Sequence, residues 1–177
     1  MYNRYLPKKP SSVKYNPELL NCIIVDIDGA LAKKGDKDIY DYSKFDLDSV
    51  IDETREIIQA YSIYAAQCSP CSRKNSAGKF ERYSLDFHII LISGRENSCE
   101  KETSDWLLDN YIEYDKLFMR NTGDKRDDYI VKKEIYEEHI KGKYNVKFVI
   151  NDSKRVKRMW VNEGLFIFDV NQHDIEF

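Results

Sequence analysis

The stretch Cys22-Ile23-Ile24-Val25-Asp26-Ile27-Asp28-Gly29 decides how the rest of the chain is read. Four apolar residues end abruptly in acids and a glycine, as a strand buried on both faces ends at a functional loop. Outward from it the pattern returns twice. Phe87-His88-Ile89-Ile90-Leu91-Ile92 stops at Ser93-Gly94-Arg95, and Val146-Lys147-Phe148-Val149-Ile150 stops at Asn151-Asp152. Helical spacing fills the intervals. Residues 53–65 put Ile57, Ile58, Tyr61, Tyr64 and Ala65 on one face, a second helix runs through Trp106 and Leu107, and a third covers 129–140. The short run Leu117-Phe118-Met119 lies between the last two. Ser153 is a good N-cap for a fourth helix carrying Val156, Met159 and Trp160, Gly164 fits its C-terminus, and Leu165 to Val170 makes a last strand.

Strand and helix thus alternate, which predicts an α/β fold: a single doubly wound, Rossmann-like parallel sheet with helices on both faces. In such sheets the ligand site lies beyond the carboxyl ends of the strands. Asp26 to Gly29, Ser93 to Arg95 and Asn151-Asp152 all follow strands, so three polar loops converge on one rim.

The 177 residues suffice for one domain of ordinary size. Residues 1–20 read as an N-terminal arm and 21–177 as the domain, with an exposed insertion near 67–85. Hydrophobic residues make up 42% and charged residues 33%, a soluble balance, and no apolar run approaches the roughly 20 residues of a membrane span. The polar, proline-punctuated start lacks a signal-peptide pattern, so an intracellular location and no membrane partner are expected. A net charge of −3 supplies no global attraction for nucleic acid, and any polyanion must be gripped by local clusters. Four scattered cysteines, Cys22, Cys68, Cys71 and Cys99, are expected as reduced thiols. Cys68 and Cys71 have C-x-x-C spacing but no second ligand pair for zinc, and read as loop cysteines.

Asp26 and Asp28 stand two apart just past a buried strand, where carboxylate repulsion is costly unless a cation or shared proton offsets it. A hard divalent ion is the natural compensator. Phosphoryl transfer needs a nucleophile in line with the leaving oxygen, neutralised equatorial oxygens and a proton for the departing alkoxide. Asp26 can attack, Asp28 can donate, and Mg²⁺ with Arg or Lys can neutralise. D-x-D-G alone also fits a helix-leading turn with capping aspartates. Joined to S-G-R, D-x-x-x-K and N-D at successive strand or helix starts, it points to a catalytic rim.

Those motifs resemble the haloacid-dehalogenase superfamily of phosphatases. The stretches IIVDIDGALAK, IYDYSKFDLD, IILISGRE, GDKRDDYIVKKEIYEEHI and FVINDSKRVKRMWVNEG, spanning about 22–164, are similar to the 3′-phosphatase domain of the T-even bacteriophage polynucleotide kinase/phosphatase. The kinase's G-x-x-x-x-G-K-[ST] phosphate loop does not occur in this sequence. The resemblance implies that Asp26 forms an aspartyl-phosphate and that Asp28 protonates the leaving group and then activates water. It gives Ser93, Gly94 and Arg95 to phosphate binding, Lys132 to the phosphorylated nucleophile, and Asp128, one helical turn from Lys132, to bracing Arg95. It assigns Mg²⁺ to Asp26, Asp28 and Asp152, with Asn151 behind them. Lys37 stands where the family has a substrate-contacting arginine, keeping charge but losing the bidentate fork. Asn151 replaces a first aspartate and Ala30 a threonine. The implied activity is removal of 3′-phosphate from DNA or RNA ends, with a separate kinase or ligase as a possible partner.

Arg73, Lys74, Lys79 and Arg82, with Phe80 and Tyr83 among them, fit either a strand-gripping loop or a solvated one. Lys154, Arg155, Lys157 and Arg158 read most simply as the solvated face of an amphipathic helix. His88 and His139 are expected as buried or capping residues, and Tyr61, Tyr64 and Tyr136 as packing residues. The competing functions are a phosphatase of free nucleoside monophosphates, a nucleic-acid-binding scaffold without turnover, and a phosphoacceptor receiver domain. The last is disfavoured because its acceptor lies on a later strand than its acidic pair.

Overall fold

The computed structural model describes residues 13–33, 48–67, 72–74, 80–82 and 87–170. Five strands form a parallel sheet: β1 (Leu20–Asp26), β6 (Phe87–Glu96), β7 (Lys116–Arg120), β8 (Tyr144–Asn151) and β9 (Ile167–Asp169), in the order β7-β6-β1-β8-β9. Two antiparallel pairs stand apart from it: β2 (Ala32–Lys33) with β3 (Ser49–Val50), and β4 (Ser72–Lys74) with β5 (Phe80–Arg82). The chain winds outward from β1 to β7 and then returns to β8 on the other side of β1. The gap between β1 and β8 is therefore the switch point at which such sheets bind ligands.

Side chains alternate across the central strand and divide the core in two. Ile23 and Val25 join Ile89, Leu91, Ile58 of α1 (Asp52–Gln67), and Trp106 and Leu107 of α2 (Glu100–Asp109). Cys22 and Ile24 face the opposite side, against Tyr136 and Ile140 from α3 (Asp128–His139) and its C-cap, and Val156, Met159 and Trp160 of α4 (Lys154–Asn162). Each fully buried aliphatic or aromatic side chain contributes about 1.5–3 kcal/mol. The doubly wound architecture with helices on both faces is as the alternation predicts.

Several expectations change in detail. On α1, Ile58 is fully buried and Tyr61 partly so, but Ile57 and Tyr64 are exposed. The buried stripe runs Thr54, Ile58, Tyr61, so the apolar-rich helix is rotated from its expected face. The segment expected as a loop contains the β4–β5 pair, whose polar sequences Ser-Arg-Lys and Phe-Glu-Arg carry no apolar alternation. The arm ends earlier than residue 20. Leu20 already pairs in β1, and Asn145 ties down the preceding turn, its Nδ2 donating to the Asn16 and Leu19 carbonyls at 2.7 and 2.9 Å. Residues 1–12 lie outside the described residues, as do Cys68 and Cys71.

The fourth helix forms as its sequence dictates. Ser153 accepts from Val156 N, and the helix closes at Glu163 before Gly164. His139 ends α3 and stacks on Phe118 at 4.5 Å, while His88 sits 3.2 Å from Asp115. Tyr61 packs edge-on to Phe87 and Phe148, and Tyr136 to Trp160.

Candidate active site

Asp26 is the last residue of the central strand, and its side chain turns into a pocket of fixed donors. Ile27 N donates to Oδ1 at 2.9 Å, while Lys132 Nζ and Asn151 Nδ2 donate to Oδ2 at 2.5 and 2.6 Å. Lys132 comes from α3 and Asn151 from the end of β8, so three elements meet on one carboxylate. Burial pushes the Asp26 carboxyl up to about 7, against the opposing pull of Lys132. Burial works to discharge Lys132, but the carboxylates of Asp128 and Asp26 outweigh it and keep the ammonium charged.

Asp28 is held differently. Arg95 Nε lies 3.0 Å from both of its oxygens and Nη2 lies 2.6 Å from Oδ1. The same Nη2 reaches Asp48 Oδ2 at 3.1 Å, deep in the protein. Asp48 is in turn anchored through its carbonyl, which accepts from Trp106 Nε1 at 3.1 Å. The buried Asp48 thus fixes the Arg95 guanidinium and aims it at the half-exposed Asp28. Ser93 is fully buried, and its Oγ accepts from Arg95 N at 3.1 Å, leaving its own proton to give elsewhere. The β6–β7 register slips between Ser93 and Glu96, the local irregularity at which Gly94 and Arg95 leave the ladder.

The expected brace between Asp128 and Arg95 is replaced by another. Asp128 Oδ2 lies 2.7 Å from Lys132 Nζ, and Oδ1 accepts from Arg120 Nη2 at 3.0 Å. Arg120, at the end of β7, also donates to the carbonyls of Gly94 at 2.8 Å, Asp124 at 3.2 Å and Arg126 at 2.6 Å. It joins the Ser93–Arg95 turn to the start of α3. A Cβ on Gly94 would stand 2.4 Å from Asp128 Oδ1, so that approach requires glycine.

Asp26, Asp28, Ser93, Gly94, Arg95, Asp128, Lys132, Asn151 and Asp152 therefore gather at the carboxyl ends of β1, β6 and β8 and the first turns of α3, on or behind one rim. Lys37 lies outside the described residues. Asp48 and Arg120 were missed by sequence reasoning. Arg120 carried a signal, a basic residue closing a short apolar run as Arg95 does, whereas Asp48 is one acid among many in a charged stretch.

Residues 20–175 match the family described as the polynucleotide kinase PNKP phosphatase domain, of the haloacid-dehalogenase type. The chain belongs to this family. A relative in Autographa californica nuclear polyhedrosis virus, named "Putative bifunctional polynucleotide kinase/RNA ligase", is 31% identical over 157 residues, covering 88% of this chain and 20% of its own. Two solved structures share 31% identity and a TM-score of 0.76. One, of the Pnkp1/Rnl/Hen1 complex, is matched over 96% of this chain and 52% of that one. The other, of the Pnkp1/Rnl/Hen1 RNA repair complex, is matched over 95% and 48%. The chain thus spans a fifth of the viral relative and about half of the structural ones. The PNKP phosphatase-domain family marks it as a phosphatase of the nucleic-acid end-repair type. No helix among the described residues is long and apolar enough to cross a membrane.

Phosphatases of this superfamily generally use Mg²⁺, and the donor set here fits such an ion. Burial raises the carboxyl of Asp152, and its charge in turn helps raise Asp26. The Asp152 carboxylate sits where a Cβ on Gly29 would come within 1.9 Å of it, and Gly29 has a φ of 82° that favours glycine. Asn151 Oδ1 is buried with no hydrogen-bond partner, an oxygen lone pair of the kind a hard cation takes. Among the described residues no three acidic, His or Cys side chains cluster tightly enough to hold an ion by themselves. That suits Mg²⁺, which takes one or two carboxylates and fills its shell with water and phosphate. With the Asp28 carboxylate turned to Arg95, Asp26 and Asp152 are the acids that would hold such an ion.

Proposed function

We propose that this chain is a Mg²⁺-dependent polynucleotide 3′-phosphatase that hydrolyses 3′-phosphate from DNA or RNA ends through an aspartyl-phosphate on Asp26. The observation carrying this reading is the setting of Asp26: a buried carboxylate at the switch point, oriented by Lys132 and Asn151, with a second carboxylate two residues on.

In the first half-reaction an Asp26 oxygen attacks phosphorus, the bond from phosphorus to the sugar O3′ breaks, and Asp28 gives that oxygen its proton. In the second, Asp28 takes a proton from water, the water oxygen attacks phosphorus, and the acyl-phosphate bond breaks to return Asp26 and release inorganic phosphate. Lys132 and the Ser93 hydroxyl would face the charge on the non-bridging oxygens, and Gly94 lets Asp128, the partner of Lys132, approach the turn that carries Ser93. Arg95 acts through Asp28, holding it in place between the two proton transfers. Asp26 and Asp152, with Asn151 beside them, would hold Mg²⁺, which would supply charge neutralisation of the phosphate.

The relatives' names support a setting in end repair, where a separate kinase or ligase completes the junction. Phosphate release with Mg²⁺ is to be measured across 3′-phosphate, 5′-phosphate and 2′,3′-cyclic oligonucleotides and mononucleotides. The 3′-phosphorylated oligonucleotide should turn over fastest. Equal turnover of a 3′-mononucleotide would make the free-nucleotide phosphatase the better reading.

A further inference from the structure

Most basic residues around the rim are neutralised. Lys125 pairs with Glu96 at 3.0 Å, Arg126 with Asp124 and Glu134 at 2.7 Å each, and Lys157 with Asp169. Lys133 and Lys141 share Glu163 at 3.4 and 2.7 Å. On α4 two cations differ. Arg155 and Arg158 are exposed, one helical turn apart, and neither has a carboxylate partner among the described residues. The helix itself, KRVKRMWVN, contains no acid and crowds four cations into its first five residues. Cations beside the positive end of a helix dipole cost roughly 0.3–1 kcal/mol each, a local conflict that packing does not explain.

The position of the pair is set by the fold. Arg155 shares a ridge with Met159 and Glu163 at spacings of four, and Glu163 meets Lys133 of α3. On α3, Tyr129 lies on the ridge of Lys133 and Tyr136, and Tyr136 packs edge-on against Trp160 at 5.4 Å. These pairs bring α3 and α4 together, and the same two ridges continue to Tyr129 in the first turn of α3 and to Arg155 in the first turn of α4. Tyr129 is 37% exposed and follows Asp128 directly; Arg155 is three residues past Asp152. Helical side chains lean toward the N-terminus, which for both helices is the active-site end.

We propose that the exposed surface at the active-site ends of α3 and α4 receives the single strand behind the scissile phosphate, with Tyr129 stacking on a base and Arg155 and Arg158 contacting successive backbone phosphates. Aromatic stacking with an arginine-lined track suits single strands of any sequence. The assignment rests on the polynucleotide reading above and adds to it the surface that separates a strand from a mononucleotide.

The test uses the full chain with Asp26→Asn, so that binding of a 3′-phosphorylated oligonucleotide of about ten nucleotides is followed without turnover by fluorescence anisotropy. Adding Arg155→Gln with Arg158→Gln should weaken binding at least tenfold and reduce the slope of log Kd against log salt by roughly 0.7 per arginine. Tyr129→Leu should weaken it at least about fivefold with the salt slope unchanged. Arg155→Lys with Arg158→Lys, which keeps the charge, should retain most of the affinity and the slope. In the turnover-competent chain the glutamine pair should raise KM for the oligonucleotide and level its kcat/KM advantage over the 3′-mononucleotide. Unchanged affinity and salt slope in the glutamine pair would overturn this surface assignment while leaving the phosphatase reading intact. Failure of the parent chain to bind any oligonucleotide would overturn both.

Discussion

The side-chain amide of Asn151 donates to Asp26 at 2.6 Å, a contact that an aspartate at position 151 could not make. An ionised carboxylate only accepts, so the substitution would replace a hydrogen bond with a like-charge repulsion. Asn151→Asp should lower the stability of the metal-free protein by about 1–3 kcal/mol. Mg²⁺ should then raise its melting temperature more than it raises the parent's. Equal Mg²⁺ shifts in a thermal melt would remove Asn151 from the account of the nucleophile.

Asp26→Asn keeps the volume of the side chain and removes the proposed nucleophile. Turnover should fall by at least about a thousandfold with the fold preserved by circular dichroism. Activity within tenfold of the parent would sink the assignment.

Proton and metal should compete at Asp26. Its carboxyl is raised from 3.8 to about 7 by burial, so between those values the folded chain holds a proton that the unfolded chain has released. In that window protonation favours the folded state, and the contribution is lost as pH rises through about 7. With chelator present, stability should therefore decline from pH 5.5 to 8. With Mg²⁺ present the decline should shrink or reverse, because the ion binds the ionised form. Parallel pH profiles of the melting temperature in both conditions would contradict this. Asp152→Ala should raise the Mg²⁺ requirement more than Asn151→Ala does, since a carboxylate attracts a hard cation better than an amide.

Asp28→Asn should slow the phosphorylation step most for substrates with a poor leaving alkoxide. An activated aryl phosphate needs little protonation and should lose less. Identical losses in single-turnover measurements of the two substrates would show that Asp28 is not the acid.

Arg120→Ala removes donors to three carbonyls and one carboxylate. A loss of about 2–4 kcal/mol in urea unfolding is expected, and kcat should fall alike for oligonucleotide and aryl phosphate, because Lys132 is displaced for both. A drop confined to the oligonucleotide would place Arg120 in strand binding instead.

The strands of this fold are legible because each central one is a short apolar run stopped by polar residues. Asp26 and Asn151 could be placed at strand ends on that ground alone, whereas Ser93 stands where the β6–β7 register slips, three residues before β6 ends at Glu96. The rotation of α1 was not legible, because Ile57, Ile58, Tyr61 and Tyr64 satisfy helical spacing from more than one viewpoint. Helical spacing correctly set Asp128 beside Lys132. It says nothing about which arginine a neighbouring strand presents, and so Arg120 rather than Arg95 meets Asp128. Arg120 spends three of its four contacts on backbone carbonyls, which leave no trace in side-chain chemistry.

The placement of Asp26 on the middle strand, paired on both edges and covered on both faces, bears on how the molecule fails. Its amide, at the end of that strand, should exchange hydrogen more slowly than that of Asp28, which two residues on sits in a half-exposed turn that can open locally. Mild denaturant should thus uncouple the two carboxylates before unfolding begins. If Asp26 and Asp28 have the proposed roles, the partly loosened chain should still be phosphorylated by an activated donor, lose the means to shed the phosphate, and accumulate as the phosphorylated protein.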